Sequence, residues 1–293
     1  MQRLFRPFSL NIRGMLREFT RPQVMGIINV TPDSFYAGSR TQTDTDISLR
    51  VETLLEQGAD MFDIGAYSSR PGADDVSAAE EIRRLRNGLR IVRQTAPDAI
   101  ISVDTFRSET ARMAIDEGAD IINDISGGDM DSGMFATVAE LRVPYILMHM
   151  RGTPATMQQL THYEDGDVTS GVLRELSAKV EQLAYMGVAD IIIDPGFGFS
   201  KTLEQNYDLL RNMGIFQCFN RPVLAGISRK SMITRALGID ASQALNGTTV
   251  INTLALIEGA AILRVHDAAE AKQAIELTEL TIGPAPLYSS ISL

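Results

Sequence analysis

Cysteine is almost absent. Cys218 stands alone among 293 residues, which excludes an intrachain disulfide and a cysteine-rich zinc site. Histidine is scarce too. His149, His162 and His266 lie on distant segments, so a histidine-based metal centre is not expected. Positive charge is outweighed: 27 Lys and Arg face 37 Asp and Glu, a formal net charge of −10. That balance argues against nucleic acid or an anionic membrane as partner. A phosphate-bearing small molecule stays open, because it answers to local charge. No apolar run approaches the length of a membrane span. The arginines Arg3, Arg6 and Arg13 are followed by no apolar signal core, so a soluble, cytoplasmic protein is expected. There is no Walker-type phosphate loop, and Gly196-x-Gly198 is too short for a dinucleotide fingerprint. No charge run or low-complexity linker marks a domain boundary.

What is present is a hydrophobic share of 44%, enough for a sizeable core. Phe8, Leu10 and Ile12 alternate until Gly14 breaks the run, which predicts a short hairpin. One hairpin is not stable alone and should pack on the larger body of the chain. From Val24 onward, there are eight short apolar runs: 24–28, 61–64, 100–103, 121–122, 144–148, 191–193, 223–225 and 261–265. Amphipathic segments separate them. Ile47, Val51, Leu54 and Leu55 share a helical face, as do Ile82, Leu85, Leu89 and Val92, and Val172, Leu176, Val180 and Leu183. Ser77-Ala78-Ala79-Glu80 and Thr202-Leu203-Glu204-Gln205 read as capping boxes. The even-numbered runs follow Gly-Ala-Asp or a near copy, with Gly58, Gly118, Gly187 and Gly259 as helix stops. The odd-numbered runs follow or open with Pro22, Pro97, Pro144 and Pro222. This weak two-unit repeat suggests alternating roles for alternate strands in the interior. The expected fold is α/β: a (β/α)8 TIM barrel with a short N-terminal β-hairpin. Residues 1–23 form the extension, 24–283 the barrel and 284–293 a tail. Long strand-to-helix links at 30–43, 65–76 and 149–167 put the active site at the C-terminal ends of the strands.

The strand ends hold the chemistry. Ile191-Ile192-Ile193 ends abruptly in Asp194, and Pro195-Gly196-Phe197-Gly198-Phe199-Ser200-Lys201 then forces an exposed turn. A carboxylate that only caps a loop is the plain alternative. The pattern recurs, however: Asn29, Asp63, Asp104, Asn123 and Asp124, Met148 and His149 all close strands. Acids and amides around one cavity suit a flat heterocycle dense in hydrogen bonds, since a carboxylate can take two N–H groups of an aminopyrimidine edge. Cations should stand apart at the rim: Arg70, Arg229, Lys230, Arg264 and His266. Cations and helix starts after the last strands are the usual phosphate location in such barrels. A hard cation held by Asn29 and substrate phosphates is more plausible than a protein cage.

Taken together, these segments resemble the dihydropteroate synthases, the folate-pathway enzymes that sulfonamides target. The likeness runs from Val24 to about Leu277 through eight ordered segments. They are Met25–Phe35, Ser68–Gly72, Ser102–Thr105, Ile122–Asp124, Met148–Met150, Asp194–Phe199, Gly226–Ser231 and Arg264–Asp267. The resemblance implies condensation of 6-hydroxymethyl-7,8-dihydropterin diphosphate with 4-aminobenzoate, releasing pyrophosphate. It implies a pterin pocket of Asp104, Asn123, Asp194 and Lys230 walled by Met148. It places Asn29, Arg70, Arg264 and His266 at the diphosphate, with Mg2+ on Asn29. Phe35, Ser69, Pro71, Phe199, Lys230 and Ser231 fall at the aminobenzoate positions, and Asp33, Arg70 and Lys230 at catalytic ones. A homodimer is implied as well. The second loop departs from the usual Gly-Glu-Ser-Thr-Arg-Pro, with Tyr67 in place of an acid and Ser69 lacking a methyl. In the first loop, Tyr36-Ala37-Gly38 replaces Ser-Asp-Gly. The alternative is a methyltetrahydrofolate-dependent methyltransferase barrel, which shares the acidic pocket but needs no diphosphate anchors.

Overall fold

The alternation of Phe8, Leu10 and Ile12 gives β1 (Phe8–Ile12), and the chain turns back through Arg13 and Gly14, both at positive φ, into antiparallel β2 (Met15–Phe19). The computed structural model describes residues 5–30, 44–67 and 76–282. The expected roles of Asp33, Phe35, Ser69, Arg70 and Pro71, and the tail at 284–293, lie outside those residues.

The eight apolar runs are eight parallel strands. They are β3 (Gln23–Asn29), β4 (Met61–Gly65), β5 (Ile100–Asp104), β6 (Ile121–Asp124), β7 (Tyr145–Met148), β8 (Ile191–Asp194), β9 (Leu224–Ala225) and β10 (Ile262–Val265). Their order is β8-β7-β6-β5-β4-β3-β10-β9. A parallel bridge between Ile193 and Val223 joins the two ends, with Ile193 N donating to Pro222 O at 2.9 Å. The sheet is thus a barrel. The helices are α1 (Asp44–Glu56), α2 (Ala78–Thr95), α3 (Ser108–Asp116), α4 (Met134–Leu141), α5 (Val168–Tyr185), α6 (Leu203–Arg211), α7 (Ser231–Leu237), α8 (Leu245–Ile257) and α9 (Ala268–Ile282). Both α7 and α8 lie between β9 and β10. Thr202 and Gln205 close a full capping box on α6. Ser77 caps α2 by accepting from Glu80 N, but the Glu80 carboxylate is spent on Arg83 and Arg84.

Gly58, Gly118, Gly187 and Gly259 sit at φ of +83°, +97°, +86° and +93° just past α1, α3, α5 and α8, a conformation that favours glycine. The aspartates after them stitch the barrel's lower end. Asp60 accepts from Val24 N and Asp120 from Ile101 N, while Asp190 accepts from Asn11 N of the hairpin.

Strand side chains alternate between faces. Ile28, Ile64, Val103, Ile122, Leu147, Ile193 and Val265 pack outward in the core shared with the helices. Inside, Met25, Met61, Ile100, Ile121, Ile146, Ile192, Leu224 and Ile262 form one apolar cluster with Phe5, Leu10, Ile12 and Phe19. The hairpin therefore plugs the bottom of the barrel. The sequence repeat suggested alternating roles for alternate strands, but this cluster draws on every strand of the barrel.

Candidate active site

Two residues above that apolar floor, the inward positions turn polar. Asp63, Ser102, Asn123, Asp194 and Arg264 follow Met61, Ile100, Ile121, Ile192 and Ile262 by the period of the strand, while Met148 follows Ile146 and stays apolar. Higher still, Asn29, Gly65, Asp104 and Asn123 are register partners across β3, β4, β5 and β6. Gly65 leaves room between its neighbours: a Cβ there would stand 3.8 Å from Asn29 Oδ1 and 3.7 Å from Asp104 Oδ2.

The first group is an acid–amide–guanidinium network. Asp63 is fully buried, and its Oδ2 accepts from Asn123 Nδ2 at 3.0 Å and Arg264 Nε at 2.6 Å. Its Oδ1 is buried without a partner among the described residues. Arg264 Nη2 donates to Asp104 Oδ2 at 3.0 Å. The Asp104 side chain is 20% exposed and that of Asp63 is not exposed at all, so Asp104 is the acid that reaches the cavity. Burial pushes the Asp104 carboxyl up to about 7, against the pull of Arg264 and with the push of Asp63. Burial works against the charge of Arg264, but Asp63 and Asp104 together hold it above its ordinary value.

The second group lies across the mouth. Asp194 is buried, and its Oδ1 accepts from Gly196 N at 2.8 Å. Burial raises its pKa while Lys230 draws it down. A Cβ on Gly226 would stand 3.7 Å from Asp194 Oδ2 and 3.9 Å from Lys230 Nζ, so carboxylate and amine border one gap. Lys230 Nζ donates to Phe197 O at 2.6 Å and lies 4.5 Å from the centre of the Phe199 ring, a cation–π distance. Burial brings Lys230 down to about 8, opposed chiefly by Asp194. Lys230 is the extended N-cap of α7, and exposed Ser231 opens that helix. Met148 and Phe199 belong to an apolar cluster with Phe106, Ile125, Met150 and Met157, against which Tyr67 and Met130 pack.

Three features differ from the reading of strand ends. Arg264 is not set apart on a rim but is woven into the acids. His266 is not a cation. Ser228 Oγ accepts from His266 N at 3.2 Å and lies within hydrogen-bond distance, 3.0 Å, of His266 Nδ1. Burial, then Arg264 and Arg50, bring the imidazole down to about 3. Arg229 turns away at φ +55°, gripping both oxygens of Asp267 and the carbonyls of Ala241 and Ser242. Asp124 and His149 also leave the mouth. Asp124 accepts from Ser126, Gly128 N and Tyr145 Oη. His149 lies between Glu175 and Lys201. Of the expected residues, Asn29, Asp104, Asn123, Met148, Asp194, Phe199, Lys230, Ser231, Arg264 and His266 stand on the upper strand ends or the loops leaving them. Asp63 is one of the strand-end acids expected from sequence, and the structure buries it against Asn123 and Arg264; Lys201 has no role in the sequence reading. No local pattern marks Lys201.

A barrel mouth of buried acids and amides, walled by methionine and phenylalanine, defines a receptor for a flat polar ring. The family model described as pterin binding enzyme matches residues 25–266. The dihydropteroate synthase of Escherichia coli K12 is 38% identical over 276 residues, covering 94% of this chain and 96% of that protein. Among solved structures, Yersinia pestis dihydropteroate synthase with a sulfonamide drug complex matches at a TM-score of 0.88 and 36% identity, covering 94% of this chain and 99% of that one. Xanthomonas albilineans dihydropteroate synthase with 4-aminobenzoic acid matches at 0.84 and 38%, covering 94% and 98%. The chain belongs to the pterin-binding enzymes and, among them, to the dihydropteroate synthases, transferases of folate synthesis. Among the described residues no helix is long and apolar enough to cross a membrane.

Proposed function

We propose that the enzyme joins 6-hydroxymethyl-7,8-dihydropterin diphosphate to 4-aminobenzoate, giving 7,8-dihydropteroate and pyrophosphate, with the labour divided among the strand ends. The pterin lies against Met148 and presents its aminopyrimidine edge to Asp194. One oxygen of that carboxylate is already tied to Gly196 N, so the other takes the ligand. Asn123 gives its amide N–H to Asp63, which leaves its oxygen to accept from the ring. Asp104 and Arg264 complete the far side. Arg264 spends two of its five N–H donors on Asp63 and Asp104; the remainder, with Arg70 and His266, hold the diphosphate. Phe35, Ser69, Pro71, Phe199 and Ser231 enclose the aminobenzoate, and Lys230 stands between the two substrates. Asp33 and Arg70 complete the catalytic set.

The observation that carries this reading is the gap at Gly226, bordered by the Asp194 carboxylate on one side and the Lys230 ammonium on the other, with the Phe199 ring against that ammonium. Chemically, the bond from the pterin methylene carbon to the bridging oxygen breaks, and its electron pair leaves with pyrophosphate. The ring delocalises the electron deficiency at that carbon. The amine nitrogen then forms the new C–N bond and gives up a proton. Preorganised charge around the departing diphosphate lowers the barrier.

Asn29 supplies one neutral oxygen donor, and among the described residues no His, Cys, Asp and Glu cluster could hold a metal. That donor set fits Mg2+ carried mainly by diphosphate oxygens and water, which would neutralise charge on the leaving group when bound. The reading includes a homodimer and a cytoplasmic location. Pyrophosphate release is the test. It is expected only when both substrates and Mg2+ are present. A folded protein that releases none, yet binds a methylated folate, would favour the methyltransferase alternative and overturn the proposal.

A further inference from the structure

The loop after Asp194 is folded around a side chain that the chemistry above does not use. Lys201 is buried, only 3% exposed. Its ammonium donates to Gly196 O at 2.9 Å, to Phe199 O at 2.9 Å and to His149 Nδ1 at 3.0 Å. An ammonium has three donors and no acceptor, so every N–H is spent. Because Nδ1 accepts, the His149 proton sits on Nε2 and is donated to Glu175 Oε2 at 3.0 Å. Glu175 is held in turn by Arg151 Nε, 3.0 Å from Oε1. The Arg151 guanidinium lies 3.9 Å from the centre of the Tyr163 ring, and Tyr163 Oη donates to Ser200 O at 3.2 Å. Ser200 Oγ closes the circuit, accepting from Arg151 N at 2.8 Å and donating to Arg151 O at 3.0 Å. The bed is tight on the other side too: a Cβ on Gly196, at φ +74°, would stand 1.9 Å from His149 O.

Burial of a cation is costly. Here it brings Lys201 down to about 7, opposed by Asp194. Two carbonyl oxygens and an imidazole nitrogen, all acceptors, nonetheless converge on it, and only the ammonium satisfies all three. The carbonyls it grips belong to the residues on whose placement the site depends. Gly196 N holds the Asp194 carboxylate, and Phe199 carries the ring against Lys230.

We propose that Lys201 is a positioning residue of the condensation, its ammonium holding the loop Pro195–Ser200 in the shape that sets the Phe199 ring against Lys230. This rests on the reading of Phe199 and Lys230 as aminobenzoate contacts. Asp194 is fixed independently by its strand, since His149 N donates to Asp194 O at 3.0 Å, so the pterin half of the site depends less on Lys201.

Lys201→Met removes the three donors and keeps a long stem. The KM for aminobenzoate should rise roughly tenfold or more, the scale of losing charged hydrogen bonds, while the affinity for a pterin analogue changes by less than about threefold. Because Lys201 acts through Phe199, the rise in KM from Lys201→Met and Phe199→Ala together should fall short of the product of the single effects. A role in stability alone would lower the melting temperature and leave the KM of the folded enzyme at its wild-type value; that result overturns the proposal, as does full additivity. Should Lys201→Met not fold, Lys201→Gln decides. Its two N–H donors cannot serve three acceptors, so a rise of a few-fold is expected, and a folded Gln variant with wild-type KM overturns the proposal. Wild-type enzyme assayed alongside separates the two readings: without pyrophosphate release the function itself fails, before any variant is considered.

Discussion

Asp104 carries its carboxyl between an arginine that favours its charge and a dry barrel that opposes it. Burial wins, and the group titrates at about 7 in the folded protein against 3.8 when unfolded. Between those values the folded state holds a proton that the unfolded state has released. Raising the pH through this window therefore removes stability, and the loss is complete above about 7. Asp104→Asn cannot titrate. The stability of wild type minus that of Asp104→Asn should therefore fall by a few kcal/mol from pH 4 to about 7 and then level off. Urea unfolding of both proteins across the window measures it. A difference that stays flat would mean that Arg264, and not burial, governs this carboxyl. The same scale shows what strand ends alone leave ambiguous. Asn123 and Asp124 are neighbours and equally polar, yet one faces the mouth and the other ties down a turn. The alternation of faces separates them once an inward neighbour such as Ile121 is known. His266 and Arg229 were misread for a different reason. His266 is kept neutral chiefly by burial, then by Arg264 and Arg50, and Arg229 is drawn away by Asp267; none of these pairings has a signature in local sequence.

Elements were far more legible, because each is written by short-range rules. The eight strands, the hairpin and the cap at Thr202 follow from apolar runs, alternation and hydroxyl placement. The glycines of the Gly-Ala-Asp repeat take the left-handed conformation that such helix ends favour. What the repeat did not disclose is the task of its aspartates, which accept backbone N–H groups from strand starts and from the hairpin. Nor did it show that the hairpin plugs the barrel. That plug carries a prediction of its own. Leu10 is 1% exposed and belongs to the cluster under all eight barrel strands. Leu10→Ala should cost about 2–5 kcal/mol, the usual toll of a large-to-small change in a core. The plug lies at the end of the barrel opposite the site, so the KM values of the folded enzyme should not move. Chemical denaturation and steady-state kinetics on one preparation test both halves. Wild-type stability would show that the plug is loosely packed, and a shifted KM would show that the two barrel ends are coupled.

At the scale of the whole molecule, the barrel gathers residues that the chain keeps far apart. Arg264 and Asp63 are 201 positions from one another, and Lys201 and His149 are 52 apart. Ordered motifs disclose the family, but not these pairings, which are long-range contacts that only the closed sheet creates. The assembled mouth bears on how the reaction runs. Arylamines are weak nucleophiles, and a group to activate one would need to stand free near Lys230. Lys230 itself is engaged with Phe197 O and Phe199, and Asp194 with Gly196 N. On the proposed placement of the substrates, the strongest charges instead surround the pterin and its leaving group. Such an arrangement favours departure of diphosphate before attack, with the pterin substrate bound first and the electron-poor methylene shielded from water. Heavy oxygen placed at the bridging position between the methylene carbon and the α-phosphorus tests this. Enzyme, Mg2+ and the labelled pterin diphosphate are incubated without aminobenzoate. If the C–O bond breaks reversibly, the bound pyrophosphate can rotate and recombine through another oxygen, so label should move from the bridging to the non-bridging positions of the recovered substrate. Scrambling faster than background hydrolysis, without pyrophosphate release, is the expected result. Label that stays in place, in a preparation whose turnover with both substrates is rapid and whose bound pyrophosphate is free to rotate, would instead mean that the amine displaces diphosphate directly.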